Sequence, residues 1–129
     1  MTSHYLLDTN IAIALMNGDI GIAQRLKTLQ DAYLSVTIVG ELFYGAEKSQ
    51  QTELNRQRIK PLLERFQTIS PDLETANYYA TIKNQLRLMG RPIPENDIWI
   101  AAIALQHDLT LITRDSDFAA VDGLKLEKW

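Results

Sequence analysis

Four carboxylates in this sequence stand where an α/β protein would bring side chains together. Asp8 directly follows the apolar run HYLL, and Asp115 comes two residues after the end of the run LTLIT. Glu41 and Asp97 lie in what we interpret as the first turns of two helices. Each acid alone is explained as well by a helix start or a solvated turn, where Asp is common. Four repeats of the same placement favour a cluster at one rim of a parallel sheet, where such proteins bind ligands.

A cluster of this kind predicts a metal site. Carboxylates within ~4 Å repel by roughly 4 kcal/mol per pair at an effective dielectric constant near 20, unless protons or cations neutralise them. The chain has no cysteine, so oxygen ligands favour Mg2+ or Mn2+ over Zn2+ or copper. His4 lies about 13 Å from Asp8 along the predicted strand, and His107 lies at the far end of a helix. Neither histidine is therefore expected to reach the cluster of acids.

Short apolar runs that alternate with helical segments must position these acids. The strand and helix pairs near the start are HYLL with DTNIAIALMNG and AYLSV with TIVGELFYGAEKS. We expect Thr37 to cap the second of these helices. Later in the chain, two further strands are predicted in LTLIT and LKLEKW.

Two helices are predicted between these strands. Residues 50–66 are helical in composition, with Pro61 as a break or restart. The next helix has Ser70 as its cap, Pro71 at its first position and Gly90 as its stop.

The alternation predicts a three-layer α/β/α sandwich with a short, mostly parallel sheet of about five strands, built as one domain over residues 1–129. No apolar run approaches the ~20 residues of a membrane span, and the first residues do not resemble an export signal. The absence of cysteine fits a reducing compartment. We therefore expect a cytoplasmic protein.

The segments that carry the acids resemble a known family. LLDTN, GELFYGAEKS, RPIPENDIWIAA and LITRDSDF look like the four acidic motifs of PIN-domain ribonucleases, in matching order and spacing. More narrowly, the chain resembles the VapC toxins of bacterial type II toxin–antitoxin pairs, from residue 5 to Trp129. The resemblance implies that the central metal-coordinating acids are Asp8, Glu41 and Asp97. Asp115 matches the fourth acid, with Asp117 as the second choice.

The same resemblance implies an activity and partners. The reaction is Mg2+-dependent hydrolysis of RNA phosphodiester bonds, with Mn2+ as a possible substitute, and it leaves a 5′-phosphate and a 3′-hydroxyl. The expected partner is a small antitoxin that lays a helical or extended tail in the groove near the acids. A homodimer is expected from the apolar stretches GELFYGA and ANYYATI and from family habit, with a larger complex when the antitoxin binds.

Supporting residues are predicted around the acids. Thr9, Asn10 and Thr113 adjoin them and either orient acids and water through hydrogen bonds or act as caps. Residues 48–65 hold five basic residues and only two acidic ones, which could form an RNA phosphate contact or a solvated helix face. The RNA-binding candidates are Lys48, Arg56, Arg58, Arg91 and Arg114. Aromatic residues such as Trp99 and Tyr79 are expected to pack rather than stack on bases.

Two other interpretations stay open at this point. A receiver-like Mg2+-binding signalling module would carry an adjacent acidic pair after its first strand, whereas Asp8 stands alone. A PIN-like protein outside a toxin–antitoxin pair could cut RNA or only bind it. Because all four acids are present in the sequence, cleavage of RNA is favoured over binding alone.

Overall fold

The sheet is built from the apolar runs of the sequence and one further short strand. The computed structural model describes residues 4–129, so the first three residues of the predicted domain lie outside it. The strands are β1 (His4–Leu7), β2 (Asp31–Ser35), β3 (Gln67–Ile69), β4 (Thr110–Thr113) and β5 (Leu126–Lys128). Their order in the sheet is β3-β2-β1-β4-β5, and all four pairings are parallel. The predicted α/β class and five-stranded sheet are confirmed.

Helices cover the sheet in two groups. They are α1 (Thr9–Met16), α2 (Ile20–Lys27), α3 (Val36–Glu47), α4 (Thr52–Arg65), α5 (Leu73–Met89) and α6 (Glu95–Gln106), with a 3-10 helix at Ser116–Ala120. α1 packs against α2, α3 and α4, whereas α5 packs along α6. Because parallel crossovers are right-handed, the reversal of strand order at β1 puts these groups on opposite faces of the sheet.

The two central strands are buried on both faces. Leu6 and Leu7 of β1 are both fully buried, and so are Leu111 and Ile112 of β4. Adjacent residues in a strand point to opposite faces of the sheet, so burial of both residues shows that both faces are covered. This continuous burial fixes the ends of β1 and β4, where two of the acids follow.

The helix α3 begins earlier than the sequence predicts. Its cap is Ser35, whose hydroxyl accepts a hydrogen bond from the backbone N–H of Ile38 at 3.3 Å, and Thr37 lies inside the helix. The Thr37 prediction was wrong because β2 passes into α3 without a loop. Glu41 therefore lies in the second turn of α3 rather than in the first.

Two further helix boundaries differ from the prediction. α5 is capped by Asp72 instead of Ser70, because Asp72 and Thr75 exchange hydrogen bonds as a capping box, at 3.1 and 2.9 Å. α4 continues through Pro61, which was expected to break it. Ile59 and Leu62 are buried on either side of the proline, and this packing offsets the lost hydrogen bond.

Two elements were not predicted at all. α2 is an eight-residue helix capped by Asp19, and β3 is a three-residue strand at the edge of the sheet. Among the described residues, no helix is long and apolar enough to cross a membrane.

Candidate active site

The four predicted acids line one groove. Asp8 follows β1 directly and Asp115 follows β4 after one intervening residue, so both lie at the carboxyl ends of neighbouring strands. Glu41 reaches the groove from α3, and Asp97 reaches it from the first turn of α6. The groove has a volume of about 600 Å³. Its lining residues are Asp8, Thr9, Asn10, Ile13, Glu41, Pro94, Glu95, Asn96, Asp97 and Asp115.

Hydrogen bonds fix the most buried acid. Asp8 is 5% exposed, and its carboxylate accepts hydrogen bonds from the Thr113 hydroxyl at 2.7 Å and from the backbone N–H of Thr9 at 2.8 Å. The Asn10 amide adds a third at 3.3 Å. The Thr9 hydroxyl donates to Glu41 at 3.2 Å. The structure therefore places all three predicted supporting residues in contact with acids of the groove.

Burial and mutual repulsion change the acidity of these groups. Burial, followed by the negative charges of the neighbouring carboxylates, raises the pKa of Asp97 to about 7. Burial also raises the pKa of Glu41, against the hydrogen bond from Thr9. Asp8 has a pKa raised by burial, which its hydrogen bonds partly offset. The groove thus holds negative charge at a high electrostatic cost.

In the part of the chain that the structure describes, no basic side chain pairs with any of the four predicted acids. Within residues 4–129, the ion pairs to aspartate and glutamate involve only Asp19, Asp31, Glu47, Glu95 and Asp108. In the same range, no three acidic or histidine side chains lie close enough together, in their present rotamers, to coordinate one metal ion. Mutual repulsion favours that separation. The oxygen donors themselves fit a hard divalent cation, which would offset the repulsion.

The structure distinguishes the two candidates for the fourth acid by their positions. Asp115 lines the groove and raises the pKa of both Asp8 and Asp97, whereas Asp117 raises the pKa of Asp97 but not of Asp8 and is not among the lining residues. Asp117 lies in the following 3-10 helix, and its backbone N–H donates to the Asp115 carboxylate at 2.9 Å. This geometry supports Asp115 as the fourth acid.

Most of the predicted RNA-binding residues have partners within the protein. Arg56 pairs with Glu47 at 3.1 Å, and Arg58 donates to the Met16 carbonyl at 3.0 Å. The ammonium group of Lys48 lies over the Tyr44 ring, and Arg114 pairs with Asp19. Arg91 lies in the exposed loop that leads into α6, three residues before Pro94, which lines the groove. An RNA contact for any of these side chains stays a prediction.

Some groove residues were missed by the sequence argument. Glu95 and Asn96 line the groove beside Asp97, and Ile13 lines it from α1 with 44% of its surface exposed. Their closeness in sequence to the acids was the available signal. The histidines behave as predicted, because His4 and His107 line a separate cavity of about 510 Å³ at the amino ends of the strands.

Comparison with known proteins decides the family. The family model described as "PIN domain" matches residues 5–124. The chain belongs to the PIN-domain family. A curated relative, ribonuclease VapC1 of Haemophilus influenzae strain R2866, is 36% identical over 130 residues, which cover 97% of each chain. The tRNA(fMet)-specific endonuclease VapC of Shigella flexneri is 34% identical, again with 97% of each chain covered.

A solved structure shows the same PIN fold. VapBC-1 from nontypeable Haemophilus influenzae superposes with a TM-score of 0.88 and 35% identity, over 97% of each chain. The expected resemblance to PIN-domain VapC ribonucleases is confirmed. PIN-domain nucleases depend on metal in general, which agrees with the oxygen-rich groove of this chain.

Proposed function

We propose that this protein is a metal-dependent endoribonuclease and the toxin of a toxin–antitoxin pair. The observation that carries the proposal is that four of the carboxylates lining one groove, those of Asp8, Glu41, Asp97 and Asp115, form no ion pair with a basic residue within residues 4–129. Its PIN fold and its likeness to proteins named as ribonucleases support RNA as the substrate. RNA is found in the cytoplasm, and we propose that the protein acts there.

The four acids and two of their hydrogen-bond partners have defined parts in the proposed reaction. Asp8, Glu41, Asp97 and Asp115 would hold Mg2+, or Mn2+ in its place. When bound, that ion supplies a water of lowered pKa and neutralises charge on the phosphate. Thr113 and Asn10 keep the Asp8 carboxylate oriented. A 5′-phosphate and a 3′-hydroxyl are the expected products.

Cleavage of purified RNA with Mg2+ and with EDTA tests the nuclease directly. Asp8→Asn and Asp97→Asn should each reduce cleavage by at least ~100-fold, since loss of a group that only orients a metal ligand already costs up to about that much, while the circular dichroism spectrum stays unchanged. Asp108→Asn is the matched control, because Asp108 is an exposed acid in the turn before β4, at the opposite end of the sheet. Wild-type rates in EDTA, or in Asp97→Asn with Mg2+, would refute the metal-dependent nuclease.

The toxin role needs a separate test. Expression of the wild-type chain should arrest bacterial growth, and co-expression of a small antitoxin encoded beside it should restore growth. Asp97→Asn should be harmless at the same protein level. Sequencing the 5′ ends of cleaved RNA from arrested cells would identify the target, for which one relative's name suggests transfer RNA. Normal growth with abundant soluble wild-type protein would contradict the toxin role alone.

We also propose a homodimer. Tyr44 in the stretch GELFYGA is 65% exposed, and Leu88 near the end of α5 is 70% exposed, so apolar side chains face outward on two helices. A second copy of the chain could cover such surfaces. Light scattering at tens of micromolar should give twice the chain mass of 14.7 kDa. A monomer mass would refute the dimer.

A further inference from the structure

Arg114 lies between Thr113, which donates a hydrogen bond to Asp8, and Asp115, which lines the groove, but its own side chain contacts residues outside the groove. It follows Thr113 and precedes Asp115, yet its guanidinium group donates to the Asp19 carboxylate at 3.2 Å and to the Trp129 carbonyl at 3.0 Å. Asp19 caps α2, and Trp129 follows β5. The side chain of Arg114 therefore connects three segments that are far apart in sequence.

The backbone of Arg114 is connected to the groove itself. Its N–H donates to the Asn10 side-chain carbonyl at 3.2 Å. The Asn10 amide in turn donates to Asp8 at 3.3 Å and to Thr113 at 3.4 Å. A shift of the chain at residue 114 would move Asp115 directly and would change the hydrogen bonding of Asp8 through Asn10.

The groups that hold Arg114 are themselves held. The other oxygen of the Asp19 carboxylate accepts the Ile22 N–H at 3.1 Å, and this bond, followed by the Arg114 hydrogen bond, keeps the pKa of Asp19 below its usual value. The Trp129 ring lies 5.4 Å from the Arg25 guanidinium of α2 and donates through its indole N–H to Glu127 at 3.1 Å. Arg114 therefore binds two groups that have their own contacts, one at the start of α2 and one after β5.

We infer that Arg114 is a positioning residue that fixes the segment carrying Thr113 and Asp115 for cation binding, and that it does not contact RNA. This inference rests on the proposed metal site and identifies a residue that controls it. Exposed ion pairs contribute little to folding stability, whereas groups that orient metal ligands typically change metal affinity or activity by roughly 10- to 100-fold. Loss of Arg114 should therefore change metal affinity if the residue positions the groove, and should change little if it only forms an exposed ion pair.

The sign of the effect on metal binding separates positioning from simple charge. Arg114→Gln removes a positive charge beside an acidic groove, so Coulomb's law alone predicts tighter binding of a divalent cation. Loss of positioning predicts weaker binding. We expect the dissociation constant for Mn2+, measured by electron paramagnetic resonance, to rise roughly 10-fold.

A second variant and a control complete the test. Asp19→Asn keeps the α2 cap but removes the charge partner of Arg114, and loss of this negative charge would by itself weaken Mn2+ binding. The informative comparison is therefore the double variant, which should bind Mn2+ no more weakly than Arg114→Gln if the two residues act through one contact. Lys125→Gln breaks an exposed ion pair of similar length, with Asp108 at 2.8 Å, and should leave Mn2+ binding unchanged. If Arg114→Gln does not fold, Arg114→Lys replaces it, because lysine keeps the positive charge but cannot reproduce both hydrogen bonds of the guanidinium group, so weaker Mn2+ binding would again indicate positioning.

RNA binding in EDTA provides the opposing measurement. If Arg114 positions the groove, the affinity for RNA and its dependence on salt should match those of the wild type. Weaker RNA binding with a shallower salt dependence, at unchanged Mn2+ affinity, would overturn the inference and make Arg114 a phosphate contact. Mn2+ affinity equal to or tighter than wild type in Arg114→Gln would also overturn it. Wild-type protein that binds no Mn2+ would instead refute the metal site on which the inference rests.

Discussion

Asp8 and Asp97 bring the same chemical group to one groove, but their surroundings give them different acidities. Asp8 is 5% exposed, yet hydrogen bonds from Thr113 and Thr9 act against the larger effect of burial on its pKa. For Asp97, burial and the neighbouring carboxylates raise the pKa to about 7, and no donor from residues 4–129 opposes them. Asp97 is therefore the ligand whose protonation competes most directly with cation binding near neutral pH.

This difference predicts how cation binding depends on pH. Below about 7 the Asp97 carboxyl keeps its proton, and a cation must displace that proton to bind. The affinity for Mn2+ should therefore rise with pH up to about 7 and level off above it. Asp97→Asn should bind Mn2+ more weakly and lose this part of the pH dependence. Calorimetric titrations on either side of neutral pH measure both effects, and a flat wild-type profile would contradict the assignment.

The two candidates for the fourth acid, Asp115 and Asp117, should differ in how strongly their substitution reduces RNA cleavage. Asp115 lines the groove and acts electrostatically on Asp8, whereas Asp117 is not among the lining residues. Asp115→Asn should therefore reduce RNA cleavage by roughly 10-fold or more, and Asp117→Asn should reduce it much less. Initial rates at saturating Mg2+ give the comparison. A larger loss in Asp117→Asn would reverse the assignment.

Sequence reasoning worked well for the residues that follow strands directly. Asp8 and Asp115 could be placed because the carboxyl ends of parallel strands share one rim. Glu95 and Asn96 were not placed, although they precede Asp97 directly, because which residues of this turn face the groove depends on how α6 packs along α5. The internal partner of Arg114 was equally hidden, since Asp19 lies 95 residues away in sequence.

At the scale of elements, the two that escaped prediction, α2 and β3, are short and lack the apolar runs by which α1 and the central strands were found. β3 has only three residues and sits at the sheet edge, so its sequence lacks the apolar run of a central strand. α2 carried a usable signal in its Asp19 cap and in Ile22 and Leu26, which are buried one turn apart. Its eight residues were too few to distinguish from the loop after α1.

The start of α3 yields an element-scale prediction with an internal control. Ser35→Ala removes the hydroxyl that accepts the Ile38 N–H, and the change should lower the free energy of unfolding by about 1 kcal/mol. Thr37→Ala, inside the same helix, should change it by less than about 0.5 kcal/mol. Urea unfolding followed by circular dichroism measures both. If Thr37→Ala costs more than Ser35→Ala, Thr37 is the cap after all.

For the whole molecule, the acidic groove makes folding depend on pH and on metal. In the unfolded chain Asp97 loses its proton near its ordinary pKa of 3.8, whereas in the folded protein it does so at about 7. Between these values the folded state binds more protons, so the free energy of unfolding falls as pH rises. Because Asp97 is only half-buried, solvent screening reduces this loss to about 1–3 kcal/mol. A cation bound only by the folded state restores it.

Four melting curves, recorded just above neutral pH, test this account. Asp97→Asn removes the costly charge, so in EDTA the variant should melt a few degrees above wild type. With Mg2+ the wild type should gain more than the variant, because a neutral amide is a poorer ligand than the Asp97 carboxylate. A role limited to the helix dipole predicts otherwise, since Asp97 stands in the first turn of α6, where a negative charge is favourable. The variant would then be equal or slightly less stable in EDTA, with the same response to Mg2+ as wild type.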